Sequence, residues 1–151
     1  MPLHAFLRGK APDGRGRDLE TVLTFDDARV EAVHDFIQWL FPLKARSGAQ
    51  PDAPVLTDPE IAAIRADEAA QDNLRRATER MLRFYRTTGG WLTAHDHNHL
   101  RITRIVTSLR LLSGEAPARA FLEAILEREA AAGHPVNARS RAYWVSALAG
   151  G

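Results

Sequence analysis

The sequence has no cysteine, only two lysines (Lys10 and Lys44) and almost no net charge. Without cysteine there is no disulfide, thiol nucleophile or thiolate metal site. Twenty basic against 19 acidic residues give a net charge of +1, which argues against a globally basic nucleic-acid-binding surface. No apolar run reaches the ~18 residues of a membrane helix, and the first ten residues do not form a signal peptide. We expect a cytoplasmic protein without membrane insertion.

What is present is a globular composition, with 45% hydrophobic and 26% charged residues in 151. A chain of this length buries about two-thirds of its unfolded surface and needs no disulfide or metal for stability. We therefore predict one domain over residues 1–151. Eighteen of the 20 basic residues are arginine, and alanine is abundant. Both features are typical of a GC-rich bacterial coding sequence, so a single arginine has little weight as a functional signal.

Hydrophobic periodicity predicts an all-α helical bundle of five to seven helices. Residues 1–17 contain several glycines and prolines and are predicted to be an extended or looped arm. Apolar residues recur at helical spacing over 24–41, 58–85 (two helices or one bent helix), 97–112, 116–132 and 138–148. Thr57 with Glu60 is typical of a capping box, and Asn137 of an N-cap. The 97–112 helix is apolar on two sides, with Leu100 opposite the main face, which indicates a central position.

The densest polar cluster is His95-Asp96-His97-Asn98-His99. Helical metal ligands prefer i, i+4 spacing, whereas i, i+2 places two side chains ~200° apart, so we predict no metal site. Capping of the following helix by Asp96 or Asn98 is the favoured interpretation. Of the aromatic residues, we expect a group in the core: Phe84, Tyr85, Phe121, Tyr143 and Trp144.

Two further polar stripes are candidate sites. Glu31, His34 and Gln38 lie at i, i+3 and i+7, which indicates either a ligand site edged by histidine or a half-buried histidine bonded to a carboxylate; the second is favoured. A second stripe comprises His97, Arg101, Arg104 and Ser108, in a segment (residues 97–112) that contains three arginines and no acid. These arginines need partners, either acids (Asp35, Glu31 or Asp67), which are favoured, or an anionic ligand.

The segment Asp13-Gly14-Arg15-Gly16-Arg17 places two arginines on a glycine-rich turn. Glycine lets backbone N–H groups approach an oxyanion, but the spacing does not match a nucleotide-binding Walker motif. A solvated basic turn is the alternative interpretation.

Three stretches of the sequence together resemble the signature blocks of the opioid growth factor receptor domain. They are Pro12–Arg17, His34–Pro42 and His97–Ile105, supported by Met81–Tyr85 and Ser108–Leu112. The resemblance implies a helical domain. For the animal members it also implies binding of the peptide methionine-enkephalin and a nuclear or perinuclear growth-inhibiting role. It assigns no catalytic or ligand residue.

These observations lead to one functional hypothesis and two alternatives. The first is a non-enzymatic binding module, without cofactor, that takes a small anionic ligand or peptide. Its polar site is predicted to contain Arg15, Arg17, His34, Gln38, His97, His99, Arg101 and Arg104. The alternative is an enzyme that uses His34 or His97 as general base on a phosphate- or carboxylate-bearing substrate. A weaker alternative is nucleic-acid binding by the arginines of residues 97–110.

Overall fold

The structure is a computed structural model that describes residues 1–150. In this range it contains nine α-helices and no strand, which confirms the all-α class. Five helices have nine or more residues, and the other four are single turns or little more. The helices are α1 (Pro2–Leu7), α2 (Leu19–Leu23), α3 (Asp27–Ala32), α4 (Ile37–Leu40), α5 (Asp58–Ala66), α6 (Glu68–Thr87), α7 (Asn98–Leu112), α8 (Glu115–Ala131) and α9 (Ala138–Ala149).

The chain groups into two compact units, the first comprising Met1–Arg80 and the second beginning at Met81. The division falls inside α6. None of the helices in residues 1–150 combines the length and the apolar character that crossing a bilayer requires.

The prediction of a looped arm over residues 1–17 is wrong for residues 2–7, which form α1. Pro2 fits the first turn of a helix, where its missing N–H has no intrahelical partner to lose. Leu3, Phe6 and Leu7 are fully buried, so packing supplies the stability that so short a helix lacks by itself. The buried Glu60 of α5 accepts a hydrogen bond from the backbone N–H of His4 at 3.0 Å, which fixes the start of α1.

The predicted helix over residues 24–41 is broken into α3 and α4. Val33 has an extended conformation, and α4 begins only after Phe36. In a continuous helix the carbonyl of Asp35 would accept from the Trp39 N–H. Instead, Trp39 donates to Phe36, and the Asp35 carbonyl accepts from Arg17 Nη2 at 3.3 Å. The long-range bond to Arg17 thus takes the place of a helical one.

The 58–85 segment forms two helices, α5 and α6, as predicted, and the break is at Asp67. The Thr57 hydroxyl accepts from the Glu60 N–H at 3.3 Å, which confirms half of the predicted capping box. The Glu60 carboxylate does not return this bond, because it holds His4 instead. Asp67 accepts from the N–H groups of Ala69 and Ala70 and so caps α6.

In the second unit α7 packs against both α8 and α9 around buried tryptophans. Trp144 Nε1–H donates to the His99 carbonyl at 2.9 Å, and Trp91 Nε1–H donates to the Tyr85 carbonyl at 3.0 Å. Asn137 caps α9 as predicted, by accepting from the Ser140 N–H.

One predicted core position in this unit is wrong, since Tyr143 is 54% exposed. Leu100 is 74% exposed, but α7 packs against both α8 and α9 and so has the predicted central position within this unit. Tyr143 precedes the fully buried Trp144, and neighbouring residues in a helix point in directions ~100° apart, so only one of them reaches the core.

Glu129 organises the connection between α8 and α9. Its side chain is 1% exposed, and its two oxygens bind His134 Nδ1 at 2.8 Å and the Val136 N–H at 3.2 Å. The chain reverses through Gly133 and His134, both with positive φ. Glycine adopts this backbone readily and histidine more often than most other residues, so the carboxylate adds hydrogen bonds to a turn that the local sequence permits.

We expect Glu129→Ala to lower the free energy of unfolding by about 2–3 kcal/mol, because it leaves the buried Val136 N–H without an acceptor. Glu127→Ala is the matched control, since Glu127 is an exposed residue of the same helix and its loss should change stability by less than about 0.5 kcal/mol. Urea unfolding followed by circular dichroism measures both. Equal effects of the two substitutions would contradict this role for Glu129.

Candidate functional site

The glycine-rich turn of residues 13–17 is folded around the carboxylate of Asp13. Asp13 Oδ1 accepts from the N–H groups of Arg15 and Arg17 at 2.8 and 3.0 Å. The Asp13 N–H donates to the Arg17 carbonyl at 2.8 Å, and Gly16 adopts the positive φ that glycine permits. The turn is therefore an ordered structure and not a solvated basic loop.

Asp35 joins this turn to the break between α3 and α4. Its Oδ2 lies 2.8 Å from Arg15 Nε, and its Oδ1 lies 2.9 Å from Arg17 Nη2. Arg17 Nε also binds Asp13 Oδ2 at 2.8 Å. Asp13, Arg15, Arg17 and Asp35 thus form a network of two cations and two anions, which we call the Asp13–Asp35 network.

The network determines the ionisation of Asp35. Burial acts to raise the pKa of the Asp35 carboxyl, but the hydrogen bonds and charges of Arg17 and Arg15 outweigh it, and the pKa lies below its usual value. Asp35 is therefore ionised at neutral pH and holds both guanidinium groups in place.

Arg15 and Arg17 have different roles in this network. The Arg17 side chain is 15% exposed, and its Nε and Nη2 form ion pairs with Asp13 and Asp35. The Arg15 side chain is 71% exposed, and only its Nε is bound. Its two terminal nitrogens have no partner within residues 1–150. Arg17 is a structural residue, whereas Arg15 presents a guanidinium edge to solvent.

Arg15 lines an open cleft of about 290 Å³ in the first unit. The Trp39 ring forms one wall of the cleft. It packs edge-on against Phe6, with ring centroids 5.6 Å apart, and it lies so close to Gly14 that a Cβ there would be 3.4 Å from the ring. The loop after α4 supplies three more lining residues. The lining residues are Gly14, Arg15, Asp35, Trp39, Gln50, Asp52 and Ala53.

His34 and Gln38 do not form the predicted stripe with Glu31, because the helix that would align them is broken. His34 is exposed in the break, whereas Gln38 is buried in α4. Gln38 Oε1 is buried and accepts no hydrogen bond within the described residues. The structure does not place either residue among those that line the Arg15 cleft.

The histidine cluster at the start of α7 is largely structural. The buried His99 lies with Nε2 2.8 Å from the Trp91 carbonyl and with its ring edge-on to Trp144. Asp96 Oδ1 accepts from the Asn98 N–H at 2.9 Å, which confirms the predicted capping role for Asp96. The His97 side chain is 43% exposed, with Nδ1 3.8 Å from Asp96 Oδ1.

The two arginines of α7 differ in exposure. Arg101 is buried, and Arg104 is partly buried. Removal from water lowers the pKa of Arg104 to about 10, so that it keeps its positive charge at pH 7. Four of the predicted site residues (Arg15, Arg17, His34 and Gln38) therefore belong to the first unit, and four (His97, His99, Arg101 and Arg104) to the second.

Comparison with known proteins assigns the family. The family model of the opioid growth factor receptor (OGFr) conserved region matches residues 12–89, slightly more than half of the chain. The chain belongs to this family. The opioid growth factor receptor match includes the Asp13–Asp35 network and every residue that lines the Arg15 cleft, and it ends before α7.

Curated members of the opioid growth factor receptor family share 33–40% of aligned residues with this chain. The mouse opioid growth factor receptor is 40% identical over 119 residues, covering 64% of this chain and 19% of the mouse protein. The human opioid growth factor receptor is 39% identical over 121 residues, covering 66% of this chain and 18% of the human protein. Mouse opioid growth factor receptor-like protein 1 is 33% identical over 108 residues, covering 60% and 23%. The chain spans about a fifth of the length of these relatives. No solved structure matches it.

Sequence reasoning missed four residues of the cleft: Trp39, Gln50, Asp52 and Ala53. Trp39 stands within one of the stretches that resemble the family, which was the only signal for it. Gln50 and Asp52 belong to a proline-rich loop whose residue types indicate a turn and nothing more.

We expect Arg17→Ala to lower the free energy of unfolding by about 2–3 kcal/mol, since it leaves the buried Asp13 carboxylate without its cation. Arg15→Ala should change it by less than about 0.5 kcal/mol, because an exposed ion pair contributes little. Urea unfolding of the two variants tests the difference. A larger loss with Arg15→Ala would reverse the roles assigned here.

The low pKa of Asp35 predicts a pH-dependent contribution to stability. A carboxyl with a depressed folded-state pKa stabilises the fold above its unfolded pKa of about 3.9, and this contribution disappears as pH falls through the folded value. The difference in unfolding free energy between the wild type and Asp35→Asn should therefore be constant from pH 7 to about pH 5 and shrink below about pH 4. Urea unfolding across this range measures it, and a difference that persists unchanged at pH 3 would contradict the shift.

Proposed function

We propose that this chain is a non-enzymatic binding module for a small anionic ligand or a peptide carboxylate, with Arg15 as the primary contact. The observation that carries the proposal is the geometry of Arg15. Its Nε is fixed by Asp35 at 2.8 Å, while its outer edge faces the cleft and solvent. A carboxylate binds such an edge with two parallel hydrogen bonds.

The Asp13–Asp35 network favours binding because it orders Arg15 before a ligand arrives. Asp35 is itself held by Arg17, which is anchored on the buried Asp13. An arginine that is already positioned loses less side-chain entropy when it binds. Arg17 thus supports the site from behind and does not contact the ligand.

The other polar residues predicted from the sequence lie in the second unit and are proposed to act there. His97 is exposed, and the partly buried Arg104 remains charged at neutral pH. A partly desolvated cation attracts an anion more strongly than a hydrated one does. Arg101 is buried on the same helix, whereas His99 is proposed to act through the packing of α7.

The relatives support a role in recognition. The mouse and human proteins are named opioid growth factor receptor, a name that describes ligand binding and no reaction. The matched region includes the whole Arg15 cleft. We therefore place the binding function in the part of the chain that the family shares.

The test is a titration with N-acetylglycine, which presents one carboxylate, followed by ¹H–¹⁵N NMR. We expect saturable shifts of the Arg15 Nε–H and the residue 13–17 amides, and an affinity about tenfold or more lower in Arg15→Ala. Arg83→Ala is the matched control, because Arg83 is an exposed helical arginine outside the site. Absence of saturation in the wild type, or equal losses in both variants, would overturn the proposal.

A further inference from the structure

The Arg15 cleft has an acidic side that comes from the loop between α4 and α5. This loop is ordered by its own hydrogen bonds: Leu56 N–H donates to the Leu43 carbonyl at 2.8 Å, and Arg46 Nη1 donates to the Pro51 carbonyl at 2.6 Å. A tight turn is closed by the Gln50 N–H on Ser47 Oγ at 3.0 Å. The loop therefore presents Gln50 and Asp52 to the cleft from a defined backbone.

Arg15 and Trp39 are lining residues of the cleft with side-chain donors that are not used within residues 1–150. Trp91 and Trp144 both donate their indole N–H to a backbone carbonyl. Trp39 is the exception, since its indole N–H donates no hydrogen bond within residues 1–150 although its ring is half-buried. Buried or half-buried tryptophan normally has a partner for this group. The Trp39 indole N–H and the outer edge of Arg15 together form a set of donors that suits a carboxylate.

The charges of the cleft do not favour a simple anion. The Asp13–Asp35 network contains two cations and two anions and is neutral as a whole. Asp52 adds a negative charge that has no ion-pair partner within residues 1–150. An ion such as phosphate would meet Arg15 and Asp52 in the same small space, and the repulsion from Asp52 would weaken, without abolishing, the attraction to Arg15. A ligand with a cation beside its carboxylate would be attracted by both.

We propose that the cleft selects zwitterionic ligands, whose carboxylate binds Arg15 and Trp39 and whose cationic group faces Asp52. This inference rests on the proposed function and names its ligand class. A space of about 290 Å³ lies at the lower end of small-molecule sites, which run from ~300 to ~1,000 Å³. It accommodates a free amino acid or the terminal residues of a peptide, and Asp52 is the residue that determines specificity.

The experiment compares four probes on the whole chain by ¹H–¹⁵N NMR, with the Trp39 indole resonance as reporter. The first probe, acetyl-glycyl-lysine, has both a carboxylate and a cation. The second is the same peptide with a C-terminal amide, which removes the carboxylate. The third, acetyl-glycyl-norleucine, has the carboxylate but no cation. Free lysine distinguishes a free amino acid from a peptide terminus. We expect the zwitterionic probes to bind up to about fivefold more tightly than acetyl-glycyl-norleucine, the upper range for an exposed charge pair. The amide should not bind measurably. The Trp91 and Trp144 resonances should stay in place.

Asp52→Asn should abolish the preference for the zwitterion and strengthen binding of acetyl-glycyl-norleucine. The control Glu127→Gln removes an equal charge from an exposed position in α8. It should change neither the preference nor the affinity for acetyl-glycyl-norleucine. If acetyl-glycyl-norleucine binds through Arg15 but Asp52→Asn leaves the preference unaltered, the proposed function stands and the zwitterion inference is overturned. If no carboxylate probe binds, both are overturned. A shift of the amide probe equal to that of the acid would also refute the assignment of the carboxylate to Arg15 and Trp39.

Discussion

The bridge that Asp35 makes between two arginines of a distant turn is the interaction on which the functional part of the first unit depends. Its carboxylate fixes Arg15 and Arg17, and its carbonyl accepts from Arg17 in place of a helical partner. The same residue therefore ends a helix, orders a glycine-rich turn and presents a guanidinium edge. The arrangement is stable because the charges balance within the network and both aspartates have guanidinium partners at hydrogen-bond distance.

The second unit uses its polar residues differently. The histidine-rich stretch before α7, which has the composition of a metal-binding tract, is used mainly to position tryptophans. The ring of His99 contacts Trp144, and its carbonyl accepts the indole N–H of the same residue. Asp96 caps the helix. Asp96 and His99 therefore serve helix capping and core packing, which require hydrogen-bond partners.

Membership of the opioid growth factor receptor family gives weight to one of these two regions. The matched residues 12–89 include the turn, the helix break and the loop that together form the cleft. These parts are close in space and far apart in sequence, since they come from residues 14–15, 35–39 and 50–53. A site assembled in this way depends on the fold of the unit.

The sequence by itself determined the helical class, the positions of α5 to α9 and the caps at Thr57 and Asn137, because periodicity and capping act between residues a few positions apart. It also marked Arg15 and Arg17 as one polar turn. Only the tertiary structure decided that Arg17 is structural while Arg15 is open, and that Trp39, Gln50 and Asp52 line the same cleft. The sequence also did not reveal the helix break at Asp35, because the break depends on a contact between residues far apart in the chain. A hydrogen bond from Arg17 competes there with the local helical bond, and no local pattern records which of two such bonds is made.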